Sequence, residues 1–232
     1  MKVFKCYELP SQVILKGEFD ETCEVSFSQE SLKALELGKL KLRIHKHGGR
    51  KAKISSLNIS IESISGNISI FVGNDNSSVS LGLNTIGAYD LRLWRTSKIV
   101  IGKYTTSNGV RIVCNNSEFI CGEDCMFSDN ILIQSADQHG IVDLEAGAII
   151  NNNYKSVVLG NHVWLGRNST ITANASIGEG AVIGTAATVT SKIPAKVIAV
   201  GVPARVIKEN HTWCRSPVSL DLFAKQYIDE IC

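Results

Sequence analysis

The stretch LGNHVWLGRNSTITANASIGEGAVIGTAATVT, Leu159 to Thr190, decides how the chain folds, because it returns to the same residue types every six positions. The aliphatic residues Leu159, Leu165, Ile171, Ile177, Ile183 and Val189 mark the period. Four places after each of the first five comes a small or β-branched residue: Val163, Ser169, Ala175, Ala181 and Ala187. Neither a helix nor a simple alternating strand produces that spacing. A six-residue period belongs to a parallel β-helix, in which each unit forms one short flat strand and one corner. The aliphatic side chain points inward and stacks on its equivalents in adjacent coils. The inward position four later is tighter and takes Ala, Ser or Val. Glycine and asparagine at 160–161 and 166–168 supply the dihedrals and polar groups that corners need. Three units close a triangular coil of about 18 residues, with coils about 4.8 Å apart.

The pattern persists upstream. Cys121, Phe127 and Ile133 share one phase, and Cys125 and Ile131 take the tight inner position, so these cysteines read as core filler. Ile101-Gly102 opens another coil, and Asn58 to Gly73 alternates aliphatic and polar residues like degenerate coils. The expected organisation is a non-repeat N-terminal cap over 1–52, a β-helix over 53–207 and a C-terminal extension over 208–232. In that extension Leu220, Phe223, Ala224, Tyr227, Ile228 and Ile231 sit at helical spacing, with Ser216-Pro217 as a helix start. The expected class is all-β with one short C-terminal helix.

Composition narrows the function. The 232 residues carry a net charge of +2 and 44% apolar residues, which suits one sizeable globular domain. The basic run His45–Lys53 has no interleaved aromatics, which argues against a nucleic-acid surface. No segment has the apolar length of a membrane span, and the N-terminus lacks a signal-peptide core, so a cytoplasmic protein is expected. The seven cysteines lack zinc spacing and read as free thiols.

The motifs VVLGNHVWLGRNSTI, IGEGAVIGTAATVT and VGVPARVIKEN resemble the hexapeptide-repeat acyltransferases of the left-handed β-helix class. The histidine loop DQHGIVDLEAGAIIN, followed by GNHVWLGRN, is similar in particular to bacterial O-acetyltransferases that modify capsular polysaccharide or polysialic acid. Left-handed coiling comes from this resemblance alone. So does the expectation of a homotrimer with acetyl-CoA lying in a groove between adjacent subunits and a carbohydrate acceptor.

The resemblance makes His139 the general base that deprotonates the acceptor hydroxyl; imidazole is suited to that work near neutral pH. Asp137 and Asp143 are both candidates to orient its ring, as is a backbone carbonyl or an acid from a neighbouring subunit. Trp164 matches a bulky residue beside the family's active-site tunnel. Gly184, Thr185 and Ala186 match the corner that meets pantetheine, and Thr190 matches a further cofactor contact. The family's Thr-Lys pair is here Thr190-Ser191, with Lys192 displaced by one. Arg205 and Lys208 are therefore the cations expected at the coenzyme phosphates. No metal is expected, since His139 and His162 lack a third ligand at suitable spacing. His162 is expected to pack or face solvent, His45 and His47 to sit in a solvated turn, and His211 to be on the surface. An N-acetyltransferase acting on an amino sugar or sugar nucleotide is the alternative enzyme. A non-catalytic assembly module is the alternative outside enzymes.

Overall fold

The computed structural model describes residues 1–48 and 52–229. It is a stack of parallel coils. An eight-stranded sheet forms one face, including Leu57–Ile61, Ser77–Leu81, Ser97–Ile101, Ser117–Cys121, Lys155–Leu159 and Ser176–Ile177. We call this the first face. In the later coils the remaining wall splits in two. The second face holds Met126–Phe127, Trp164–Leu165, Val182–Ile183 and Val197–Val200; the third holds Ile131–Gln134, Thr170–Ile171 and Thr188–Val189. In the earlier coils those two faces are one bent wall of longer strands, Leu40–Lys46, Ser65–Val72, Ile86–Leu93 and Thr106–Cys114. The last of these makes the change: Thr106–Ser107 pairs with the second face, and Val110–Val113 with the third.

The registers state the repeat. Val158 pairs with Ser176, Trp164 with Val182 and Thr170 with Thr188, so a later coil takes 18 residues, as the hexads require. Upstream, Leu57 pairs with Ser77 and Ser97 with Ser117, giving 20 residues to a coil. Every inward position named from the sequence is buried, from Leu159 and Val163 through to Ala187 and Val189. Cys121 and Cys125 are buried in the same columns. Burial pushes the Cys121 thiol well up and the Cys114 thiol up to about 11, so neither is a ready nucleophile.

The corner between the first and second faces is a column of left-handed residues. Asn84, Tyr104, Asp124, His162 and Lys196 have φ of 57, 60, 52, 52 and 55°, and Gly180 continues the column. Such dihedrals are rare for bulky side chains, so Tyr104 and His162 are held there by the coil and not by preference. Just before each of these corners runs a column of close approach. A Cβ on Gly102 would land on the backbone of Gly122 in the next coil.

Both ends depart from the repeat. Strands Ile14–Lys16, Glu24–Phe27 and Leu40–Lys46 lie in the same two large sheets as the later coils, with Lys2–Lys5 antiparallel on Glu24–Phe27. Helix α1, Gln29–Glu36, is capped by Ser28, whose Oγ accepts the Ser31 N–H at 3.0 Å. At the other end helix α2 runs Leu222–Asp229. It starts later than the Ser216-Pro217 signal suggested, because Asp221 is the residue whose carboxylate accepts the Ala224 N–H, at 2.8 Å. Ser216 instead bends the chain, accepting from the N–H groups of Val218 and Ser219. Ile231 and Cys232, the side chains of Phe223 and Tyr227, and the 49–51 part of the basic run lie outside the described residues.

The tight column makes a test. Gly102→Ala should destabilise the fold by about 1–3 kcal/mol, the usual range for overpacking. Gly109→Ala, whose Cβ would meet nothing nearer than 3.7 Å, should stay within about 0.5 kcal/mol of the parent. Paired thermal unfolding curves check this; equal shifts would mean that coil spacing does not limit the glycine column.

Candidate active site

One corner is interrupted. Between the third and first faces the neighbouring coils turn in two to four residues, as at Asn115-Asn116 and at 172–175. After Ile131–Gln134 it instead runs out and back before Lys155, so that Ser117 stacks on Lys155. The excursion contains a small antiparallel hairpin, Val142–Asp143 with Ala148–Ile149. His139 lies on its ascending arm.

The base of the loop is braced. Lys155 occupies the inward position that Ser77, Ser97 and Ser117 fill in earlier coils, and it is 8% exposed. Its ammonium bonds Asp137 Oδ2 at 2.8 Å. Asn151 Nδ2 donates to the same oxygen at 3.0 Å and to the His139 carbonyl at 2.9 Å, while its Oδ1 accepts the Ile141 N–H at 2.8 Å. Asn115 Nδ2 ties the Asp137 carbonyl to the preceding coil at 3.0 Å. The Lys155 hydrogen bond, then that of Asn151, holds the Asp137 carboxyl below its ordinary range. Asp143 does different work: its Oδ1 accepts the N–H groups of Glu145 and Ala146, both at 2.9 Å, and so closes the hairpin turn.

His139 itself is exposed, and among the described residues its ring makes no hydrogen bond to Asp137 or Asp143. It borders a cavity of about 580 Å³ with His47, Trp94, Arg95, Asn115 and Asn151. Sequence reading missed His47, Trp94, Arg95 and Lys155 as site residues. His47 was assigned to a solvated turn, yet its ring lies 4.8 Å from that of Trp94, and His45 belongs to strand Leu40–Lys46. Trp94 Nε1 is buried without a partner among the described residues. Arg95 is exposed and fixed by one bond, Nε to Asn115 Oδ1 at 2.7 Å; among the described residues it has no carboxylate partner. The cavity therefore presents a cation and two imidazoles beside the Trp94 ring.

The expected cofactor residues lie elsewhere on the prism. Trp164 is on the second face, with Nε1 donating to Ser128 Oγ at 3.2 Å. Gly184, Thr185 and Ala186 form the corner between the second and third faces, with Ala186 left-handed at φ 59°. Thr190 is exposed on the same corner column as the His139 loop. Arg205 and Lys208 are exposed in the last strand, Arg205–Glu209, antiparallel to Val197–Val200. A single chain does not bring Trp164 or the 184–186 corner to the His139 cavity.

With this geometry in hand, comparison with known proteins is informative. Residues 156–191 match the family model described as bacterial transferase hexapeptide (six repeats). The chain is 32% identical over 128 residues to a polysialic acid O-acetyltransferase of Escherichia coli O1:K1 / APEC, covering 55% of this chain and 41% of that protein. It is 34% identical over 123 residues to a polysialic acid O-acetyltransferase of Neisseria meningitidis, covering 53% of each. The chain thus spans about half the length of the curated relatives it matches. Its fold superposes on the crystal structure of the polySia-specific acetyltransferase NeuO with a TM-score of 0.75, 24% identity and 95% and 97% coverage of the two chains. The polysialic acid O-acetyltransferase OatWY gives 0.56 at 24% identity. The fold is the left-handed parallel β-helix that the motifs led us to expect, and the chain resembles hexapeptide-repeat acyltransferases of the capsule-modifying kind.

The Asp137 brace predicts how the loop responds to acid. A carboxylate whose folded value is depressed supports its contacts above the unfolded value, about 3.9, and loses them as pH falls through the lower folded value. Amide exchange across 137–153, corrected for intrinsic rate, should therefore accelerate as pH drops below about 4. Lys155→Met should produce the same acceleration at neutral pH. Unchanged exchange in that variant would mean that the brace does not hold the loop.

Proposed function

We propose that this protein is an acetyl-CoA-dependent O-acetyltransferase acting on a hydroxyl of an acidic polysaccharide. The observation that carries the reading is the His139 ring, displayed on a braced loop and, among the described residues, not bonded to Asp137 or Asp143, beside the Arg95 cation, which has no carboxylate partner among the described residues, in a cavity of sugar size. An alcohol is a weak nucleophile at neutral pH, and an imidazole that accepts its proton as it attacks the thioester lowers the barrier. The hydroxyl oxygen bonds the acetyl carbon as its O–H bond breaks; the C–S bond then breaks, and the imidazolium returns the proton to the departing thiolate. No residue needs to carry the acetyl group, in keeping with the raised Cys121 and Cys114 thiols.

The acidic acceptor is supported by charge. The outward side of the bent wall carries Lys16, Lys41, Arg43, Arg92 and Arg111 on adjacent strands, with Asp90 bonded to Arg92 and Arg111. Burial, then the charges of Lys16 and Arg43, push the His45 imidazole down. The same strands lead to His47, Trp94 and Arg95 at the cavity. A track of roughly 19 Å across five strands suits a polymer better than a single sugar. Two relatives are named for polysialic acid, an acidic polymer.

Acetyl-CoA is assigned to the groove of Trp164, Gly184, Thr185, Ala186 and Thr190, with Arg205 and Lys208 as phosphate partners. The His139 loop and the 184–186 corner sit at different corners of the prism, so a complete site is assembled between copies, which supports a homotrimer. The neighbouring copy then supplies the group that orients the His139 ring. The proposed use of acetyl-CoA supports a cytoplasmic reaction.

Thiol release from acetyl-CoA in the presence of an acidic capsular polysaccharide tests this. His139→Ala should lower kcat about 10²–10⁴-fold. Arg95→Ala should raise the acceptor KM roughly tenfold or more, as expected for loss of a charge-assisted contact. The acceptor KM should also rise with salt. Thiol release with amino sugars but not with hydroxyl acceptors would favour the N-acetyltransferase reading; none with any saccharide would favour a non-catalytic module.

A further inference from the structure

The segment after the last coil turns back and climbs the left-handed corner column. His211 N–H donates to the Lys196 carbonyl at 2.9 Å. Thr212 Oγ1 donates to the Gly180 carbonyl at 2.9 Å. Trp213 Nε1 donates to the His162 carbonyl at 2.8 Å. Arg215 reaches Asp124 Oδ1 through Nη2 at 2.7 Å and Nε at 3.1 Å, Thr106 Oγ1 at 2.9 Å and the Tyr104 carbonyl at 3.3 Å. Four residues thus touch five successive coils.

At the centre of this strap a charged cluster is shut away from water. Asp124 is 3% exposed and His162 1%. His162 meets Asp124 Oδ2 through Nδ1 at 2.7 Å and the Trp213 carbonyl through Nε2 at 2.8 Å. A backbone carbonyl can only accept, so Nε2 donates to that of Trp213. The Trp213 ring is stacked on His162, with centroids 4.3 Å apart and planes within 7°, and Arg215 covers it at 5.3 Å. A further ring neighbour of Trp213 is Trp164, with centroids 6.1 Å apart. Trp164 stands on the second face between Met126 and Val182, and its indole nitrogen is engaged by Ser128. One side of its ring therefore depends on where Trp213 sits.

We infer that the 210–215 strap, latched by Asp124, His162 and Arg215, positions Trp164 for the cofactor, with Trp213 as the positioning residue. The inference rests on the acetyl-CoA reading above. It assigns to the C-terminal extension a role in cofactor affinity and none in acceptor recognition. The chemistry is shape: a stacked indole cannot relax, so the ring beside it keeps one wall of the groove in place.

The experiment uses the full chain. Acetyl-CoA and acceptor KM values are measured for the parent, Trp213→Ala, Trp213→Phe and Arg215→Ala, with trypsin cleavage after Arg215 or Lys208 reporting strap release. Trp213→Ala should raise the acetyl-CoA KM roughly 3–10-fold, the scale of one aromatic packing contact, and leave the acceptor KM in place. Trp213→Phe, which can still stack, should recover most of the loss. Arg215→Ala, which removes its own cleavage site, should speed cleavage after Lys208 and shift the same KM, and it stands in should Trp213→Ala fail to fold. Strap release with an unchanged acetyl-CoA KM would overturn the inference. So would a rise in both KM values together. Failure of the parent to bind coenzyme A, read as no thermal shift, would instead remove the cofactor reading itself.

Discussion

Every feature of this molecule is subordinate to the spacing of one coil on the next. At about 4.8 Å between strands, an inward side chain has for neighbours its own equivalents above and below, so each column favours residues that fit those neighbours. That is why Leu165 and Ile183 share a column while Val163 and Ala181 share another, and why all four are buried. The same spacing acts on the backbone. At Gly102 the next coil comes so close that a side chain has nowhere to go. A stack built this way is rigid on its faces and offers variation at its corners and its ends.

Function collects at those corners. The His139 loop leaves from one, and its footing is cut from the repeat itself: Lys155 takes a position that serine fills in the earlier coils, and trades a small inward group for a charge that reaches Asp137. Asn115, at the equivalent turn of the coil before, holds both Arg95 and the loop backbone. The solenoid thus sets a cation and the histidine loop on either side of the Asn115 coil, both tied to the same asparagine. A second corner, at 184–186, is plain backbone and small side chains, the sort of surface an extended amide-bearing ligand can lie along.

How much of this the sequence disclosed follows from the separation of the interacting residues. The hexads are local, and each inward position from Leu159 to Val189 could be assigned from its own six-residue window. The histidine loop was legible as an interruption, and its role came from resemblance. Lys155 was missed because its partner belongs to the loop and its stacking neighbour is Ser117, a coil and a loop away. Trp94 and Arg95 were missed because nothing in their own stretch marks them; they matter only because the coil brings them under His139. The helix start was misplaced for a local reason: Ser216-Pro217 and Asp221 are both plausible caps, and a hydrogen bond decides between them. His162 shows the limit most clearly. It occupies a corner that disfavours it, and the reason lies 51 residues away at Trp213.

That distance bears on how the whole stack behaves. In a solenoid each coil contacts only its neighbours, so stability is close to a sum of local terms and the ends can open without the middle. The 210–215 strap is different in kind among the described residues, because it joins Lys196, Gly180, His162, Asp124 and Tyr104 in one continuous run. Opening any one of those coils must break the strap or carry it along. Asp124 is the sensitive point, since removing one partner from a buried charged pair leaves the other uncompensated and is more damaging than never having built the pair. With acetyl-CoA assigned to the Trp164 groove as proposed, the strap couples the order of that groove to the order of the 210–215 segment. The coils that need the most accurate placement are thereby the ones least free to fray.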